Sequence, residues 1–261
     1  MNYREQNKAA WEEAFQHRYP NWGEDNYLRL LNEDFPFLTS DILKELRQID
    51  FKGKTIAQFC CNNGRELMSI MKFGAACGVG FDIAENILEQ ARQTAEKAGI
   101  NCSFEACDIL SIDEQYKQRF DFICVTAGAL TWFEDLNPFF HKVFECLKDG
   151  GILFINEIHP VMNMLPLPGD DCFDDDRLNQ IQFTYFKKEP WIENNGMSYM
   201  SVPYLSKTFC SFSHPFGEII NAIVGNGMAV QKVREFEYDI AFGAFYNNKG
   251  IPLSYILIAQ K

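Results

Sequence analysis

The sequence predicts an α/β fold: a three-layer sandwich with a seven-stranded, mostly parallel sheet between layers of helix. Three observations predict it. Thr55–Asp82 reads as strand, tight turn, helix, strand, and ends on an acid. Phe120–Thr126 (FDFICVT) is an apolar run, as expected of a central strand covered on both faces. Strand and helix patterns alternate as far as residue 158, then resume at residue 213 and close on two further strands.

Each element has a local reason. Thr55–Cys60 is a short apolar strand, and Cys61-Asn62-Asn63-Gly64 is turn chemistry. Arg65–Phe73 places Leu67, Met68 and Met71 on one helical face, and Gly74 stops it. Ala75–Phe81 is the second strand. Ala84, Ile87, Leu88, Ala91, Ala95 and Ala98 keep the 3.6-residue period of a helix that Gly99 ends. Asn101–Cys107 is a third strand, running into Asp108. Asn137-Pro138 reads as N-cap and first residue of a helix whose buried face is Phe140, Val143, Phe144 and Leu147. Asp149-Gly150-Gly151 turns into a fifth strand, Ile152–Ile158. Ser213–Asn226 is helical, and Met228–Phe236 and Leu253–Ala259 are the closing strands. Ahead of the sheet, residues 1–50 hold three short helical patterns, Asn7–Phe15, Asn26–Leu31 and Ser40–Leu46. They read as a helical cover, with Tyr3 and Trp11 the candidates for a lid. Residues 161–212 have no clean period and form an insertion. One domain, 51–261, with that insertion on its substrate side fits the pattern.

Composition narrows the function. A chain of 261 residues can bury its own core without disulfides. The net charge of −12, from 24 basic and 36 acidic residues, repels phosphate backbones and argues against a nucleic-acid partner. Nine cysteines, an odd number without a CxxC pair, sit mostly in apolar runs. They read as small hydrophobes in a reducing cytoplasm, with neither a disulfide framework nor a metal site. The acidic run 170–176 lacks the glycine and distal glutamate of a calcium loop and reads as solvated. No signal peptide and no run near the ~18 residues of a membrane span is expected.

The crossover unit is where chemistry is expected. Its first turn offers backbone N–H groups at a helix start, and Asp82 lies at the end of the second strand. A carboxylate there can accept two hydrogen bonds from a ribose diol. This is the geometry of a nucleoside cofactor.

The order of elements, Asp82 after the second strand, Asp108 after the third, and the run Phe120–Pro160 together resemble class I S-adenosylmethionine-dependent methyltransferases. The resemblance covers residue 51 to the C-terminus. More narrowly, Gly128-Ala129-Leu130-Thr131-Trp132, Glu157-Ile158-His159-Pro160, Tyr185-Phe186 and His214 resemble a small-molecule subgroup of that family. The first turn departs from the family pattern. Gln58 stands where an acid is common, and Cys60 and Asn62 stand where glycines are common. Asn tolerates the left-handed backbone that glycine supplies.

The resemblance implies a Rossmann-like domain that binds S-adenosyl-L-methionine and releases S-adenosyl-L-homocysteine. It implies cofactor contacts from Cys60, Cys61, Asn62, Gly64, Asp82, Ile83, Cys107, Asp108, Ile109, Thr126, Ala127 and Gly128. Asp82 would hold the ribose, although it also reads as the cap of the next helix. Asp108 would take the adenine amino group. Trp132, His159, Tyr185 and His214 are expected at the methyl acceptor. His159, ending the fifth strand, is either the proton acceptor or a polar wall. His214, at a helix start, reads as a cap or packing residue ahead of a catalytic one. The expected acceptor is a small molecule, and the expected state a monomer or homodimer. The rivals are a nicotinamide-dependent oxidoreductase, disfavoured by the missing G-x-G-x-x-G, and a cofactor-binding protein without activity.

Overall fold

The computed structural model describes residues 2–178 and 180–261, and at position 175 the backbone alone. Part of the acidic run 170–176 therefore lies outside the described side chains.

The seven-stranded sheet is built from β1 (Thr55–Phe59), β2 (Cys77–Asp82), β3 (Cys102–Ala106), β4 (Phe120–Thr126), β5 (Leu147–Ile158), β8 (Ala229–Phe236) and β9 (Ser254–Gln260), in the order β3-β2-β1-β4-β5-β9-β8. The first four neighbouring pairs are parallel, and β9 runs antiparallel to both β5 and β8. The chain reverses its direction of growth between β1 and β4. That reversal opens a crevice at the strands' carboxyl ends.

Helices α2 (Asn26–Asn32), α3 (Ser40–Leu46), α4 (Arg65–Met71) and α5 (Glu85–Ala98) cover one face. There Leu30, Ile42, Leu67 and Leu88 pack on Ile56, Phe122 and Phe154. Helices α6 (Leu136–Cys146) and α7 (Phe216–Gly225) cover the other, with Phe139, Val143 and Ile223 against Phe59, Ile123 and Leu257. Alternate residues of each central strand feed opposite cores, as the two-residue period requires. The expected sandwich is the one observed.

Several local expectations shift. The cap of α6 is Asp135, whose carboxylate accepts from the Asn137 N–H at 2.8 Å, so Pro138 falls in the first turn rather than at its start. Thr39 caps α3, its hydroxyl accepting from the Ile42 N–H at 3.4 Å. The insertion is not wholly irregular: β6 (Trp191–Glu193) and β7 (Phe209–Ser211) pair antiparallel. Helix α1 (Tyr3–Gln16) lies against β7 rather than on the sheet. Asn7 bonds it there twice, giving an amide N–H to the Cys210 carbonyl and accepting from the Cys210 N–H, both at 2.8 Å. Among the described residues no helix is long and apolar enough to cross a membrane, and no three metal-binding side chains converge. All nine cysteines are free thiols.

Candidate active site

The carboxyl ends of β1, β2, β4 and β5 open into a cavity of 710 Å³, roofed by α1 and the insertion. The volume lies within the roughly 300–1,000 Å³ of sites that enclose a small organic molecule.

The first turn has three left-handed residues in five, Cys60 at φ 54°, Asn62 at 50° and Gly64 at 68°. Two of them are not glycine, which costs about 1–2 kcal/mol each in an unassisted chain. Asp82 helps to brace the turn. Its Oδ2 accepts from the Asn62 N–H at 2.8 Å and its Oδ1 from the Ala84 N–H at 3.1 Å. Each oxygen retains a second lone pair for a diol. Burial raises the Asp82 pKa, and backbone bonds from Ala84 and Asn62 oppose that rise. Gln58, fully buried, does what a carboxylate would do poorly here. Its amide N–H donates to Thr126 Oγ1 at 2.8 Å while its carbonyl accepts from the Leu67 N–H at 3.0 Å, joining β1, β4 and α4.

Eleven of the twelve residues expected at the cofactor line this cavity; Gly64 does not. A Cβ at Gly64 would meet the Phe104 ring at 2.3 Å, so the glycine makes room for β3 rather than for a ligand. Asp108 accepts from the Leu110 N–H and pairs with Arg4 Nη1 at 2.7 Å, which brings α1 down over that end. Burial, with neighbouring carboxylates, pushes the Cys60 thiol well up and the Cys107 thiol up to about 12. Neither is a thiolate nucleophile at neutral pH.

Glu157 is the residue that the strand pattern alone passes over. It is 3% exposed and lines the cavity. Its carboxylate accepts from the N–H groups of Gly128 at 2.6 Å, Leu130 at 3.0 Å and Ile158 at 2.9 Å. It therefore fixes the 128–132 loop to the end of β5. Burial raises its pKa against those three bonds. The forewarning in the sequence is its place in the Glu157-Ile158-His159-Pro160 motif, which carried no role for the acid itself.

Of the residues expected at the acceptor, Trp132 and His214 line the cavity. Trp132 stands edge-on to Trp11 of α1 at 5.4 Å. His214 Nε2 lies 2.8 Å from the Phe133 carbonyl, so that nitrogen keeps its proton and donates it in a hydrogen bond, leaving the Nδ1 lone pair as the ring's acceptor. Burial lowers its pKa, favouring the neutral ring.

His159 and Tyr185 are not among the lining residues. His159 Nδ1 accepts from the Val161 N–H at 3.2 Å, so the proton sits on Nε2. Nε2 is 3.0 Å from Glu235 Oε1, off the line of a true hydrogen bond, and the ring packs near Phe216 and Tyr255. With its one lone pair engaged by the Val161 N–H, His159 stands as a cap and, expected as proton acceptor or polar wall, is not among the residues lining the cavity. Tyr185 is likewise drawn elsewhere: its hydroxyl accepts from the Phe216 N–H at 2.8 Å and so holds the start of α7.

Residues 50–197 match the family described as methyltransferase domain. A protein of Invertebrate iridescent virus 6, provisionally named methyltransferase 235L, is 25% identical over 204 residues, 71% of this chain and 72% of its own. The S-adenosylmethionine-dependent methyltransferase of Mesorhizobium loti superposes with a TM-score of 0.65 at 20% identity, over 84% of this chain and 96% of its own. The geranyl diphosphate C-methyltransferase of Streptomyces coelicolor, solved with geranyl diphosphate, Mg²⁺ and S-adenosyl-L-homocysteine, does so with a TM-score of 0.60 at 13% identity, over 100% and 98%.

Proposed function

The chain belongs to the methyltransferase-domain family, and from that premise we propose that it methylates an O, N or S atom of a small molecule held in the cavity beneath α1 and the insertion. The observation that carries this reading is one continuous cavity, walled on one side by the strand-end residues and on the other by aromatic side chains.

The residues fit the cofactor. Asp82 presents spare carboxylate lone pairs at the end of β2, and Ile83, Cys107 and Ile109 supply apolar surface for a flat base. S-adenosylmethionine supplies a methyl group on a cationic sulfur, which needs no acid to leave. The protein's part is then alignment and exclusion of water, which together can lower a barrier by about 7–11 kcal/mol. Trp11, Trp132 and Phe212 provide apolar wall over the site. Glu157 keeps the Gly128–Trp132 backbone in place through its three bonds. His214, neutral and with Nδ1 free, takes the proton that the acceptor atom gives up, a contribution of about 10²–10⁴ in rate. His214 thus replaces His159 in that role.

Calorimetry with S-adenosyl-L-homocysteine, followed by transfer of labelled methyl from S-adenosyl-L-methionine to a panel of small acceptors, tests the reading. Micromolar binding with transfer to at least one acceptor supports it. Binding of a nicotinamide dinucleotide in place of S-adenosyl-L-homocysteine would overturn it.

A further inference from the structure

We propose that the methyl acceptor is a small cationic amine with an apolar body, seated against Glu193 and Asp170 and deprotonated by His214. The proposal rests on the methyltransferase reading above and adds the substrate class.

The charge of the cavity carries it. Among the described residues six carboxylates line the wall: Glu66, Asp82, Asp108, Glu157, Asp170 and Glu193. The lining cations are Arg4 and Arg65, and each is spent on a carboxylate of the cofactor side, Arg4 on Asp108 at 2.7 Å and Arg65 on Glu66 at 2.8 Å. Asp170 and Glu193 come from the insertion instead. Asp170 accepts only a backbone N–H, from Leu167 at 2.7 Å, and Glu193 has no ion-pair partner among the described residues. Lys187, whose ammonium lies 4.7 Å from the Trp191 ring centre, is not a lining residue. The acceptor side is thus anionic, and a phosphate or carboxylate substrate would meet repulsion there without a compensating cation.

The second observation is independent of charge. Tyr255 is fully buried, lines the cavity, and its hydroxyl has no hydrogen-bond partner among the described residues. A buried hydroxyl without a partner is costly, and a polar ligand group supplies one. The same cavity has aromatic walls: Phe183 and Trp191 meet edge to face at 4.9 Å, and Trp132 and Phe212 also line it. Aromatic faces attract cations as well as apolar bodies. Glu193 and Asp170 are both exposed to solvent at the cavity's edge, and partial desolvation with Asp170 close by lifts the Glu193 pKa.

The chemistry balances. One N–H proton of the ammonium passes to His214 Nδ1, giving a neutral amine and an imidazolium. The freed nitrogen lone pair forms the new N–CH₃ bond as the S–CH₃ bond breaks, and the bonding pair remains on sulfur, which becomes a neutral thioether. The product leaves as an N-methylated ammonium, and His214 returns its proton to solvent.

The test uses the full chain saturated with S-adenosyl-L-homocysteine and matched amine, alcohol and carboxylate probes on phenylethyl, indolylethyl and hexyl bodies. In at least one set the amine should bind at least tenfold more tightly than its carboxylate counterpart. Glu193→Gln, and separately Asp170→Asn, should weaken that amine about tenfold and leave S-adenosyl-L-homocysteine affinity unchanged. No preference for the amine in any set, or an amine affinity indifferent to both substitutions, overturns the proposal while leaving methyl transfer intact. Failure of S-adenosyl-L-homocysteine to bind overturns both.

Discussion

Replacing Glu157 by Gln asks whether a single buried carboxylate holds the loop that faces the reacting centre. Oε2 accepts from Gly128 and Ile158, and Oε1 accepts from Leu130. A Gln side chain must turn its NH₂ toward one of these sets. Facing Leu130 it loses one bond, and in the other orientation it loses two, so the first is preferred. One buried backbone N–H is then unpaired and opposes a second donor. Each such group costs about 1–3 kcal/mol, and release from burying a charge offsets part of the sum. The expected net loss is about 1–3 kcal/mol. At about 2–4 °C per kcal/mol for a chain of this size, Tm should fall by about 2–12 °C. The loosened loop should also weaken S-adenosyl-L-homocysteine by about tenfold, which corresponds to about 1.4 kcal/mol. Differential scanning calorimetry and titration calorimetry read the two effects. An unchanged Tm together with an unchanged affinity would refute the assignment of Glu157 as the brace.

Gly64→Ala combines a left-handed backbone with a clash into Phe104, and should lower stability by about 2–4 kcal/mol in urea unfolding. The folded fraction should still bind S-adenosyl-L-homocysteine. His159→Asn keeps a cap acceptor for the Val161 N–H and lies off the cavity, so methyl transfer should stay within about threefold of wild type; a loss near the ~10²–10⁴ of a proton acceptor would restore His159 to that role. His214 has a pKa lowered by burial below the ordinary 6.5. As pH falls from that value toward its lower folded pKa, the unfolded chain takes up a proton that the folded chain refuses, so stability should fall in that window. Wild type should show this acid-side loss in pH-dependent unfolding, and His214→Asn should show less of it.

Much of the fold could be read in advance because its signals are local. The apolar runs of β1, β4 and β5 and the amphipathic period of α5 are each contained in one segment. The ordered acids Asp82 and Asp108 fall at strand ends for the same reason. What could not be read depends on contacts between distant segments. Nothing near Gly64 announces that Phe104, forty residues later, fills the space above it. His159 sits at the correct strand end, yet its ring is held by the Val161 N–H and packed near Phe216 and Tyr255. The insertion hid β6 and β7 because three-residue strands are too short to show a period. The Asn7–Cys210 clamp spans most of the chain, so the lie of α1 was equally invisible.

The account rests on a nucleoside cofactor held at the end of β2 by Asp82. Titration of S-adenosyl-L-homocysteine into wild type and Asp82→Asn tests this most directly, with Tm of both proteins as the control for folding. A charged acceptor of hydroxyl hydrogen bonds is worth about 1.5–3 kcal/mol, so the variant should bind about 10–150-fold more weakly at a stoichiometry of one. Equal affinity in the two proteins, or no binding to wild type, would contradict it.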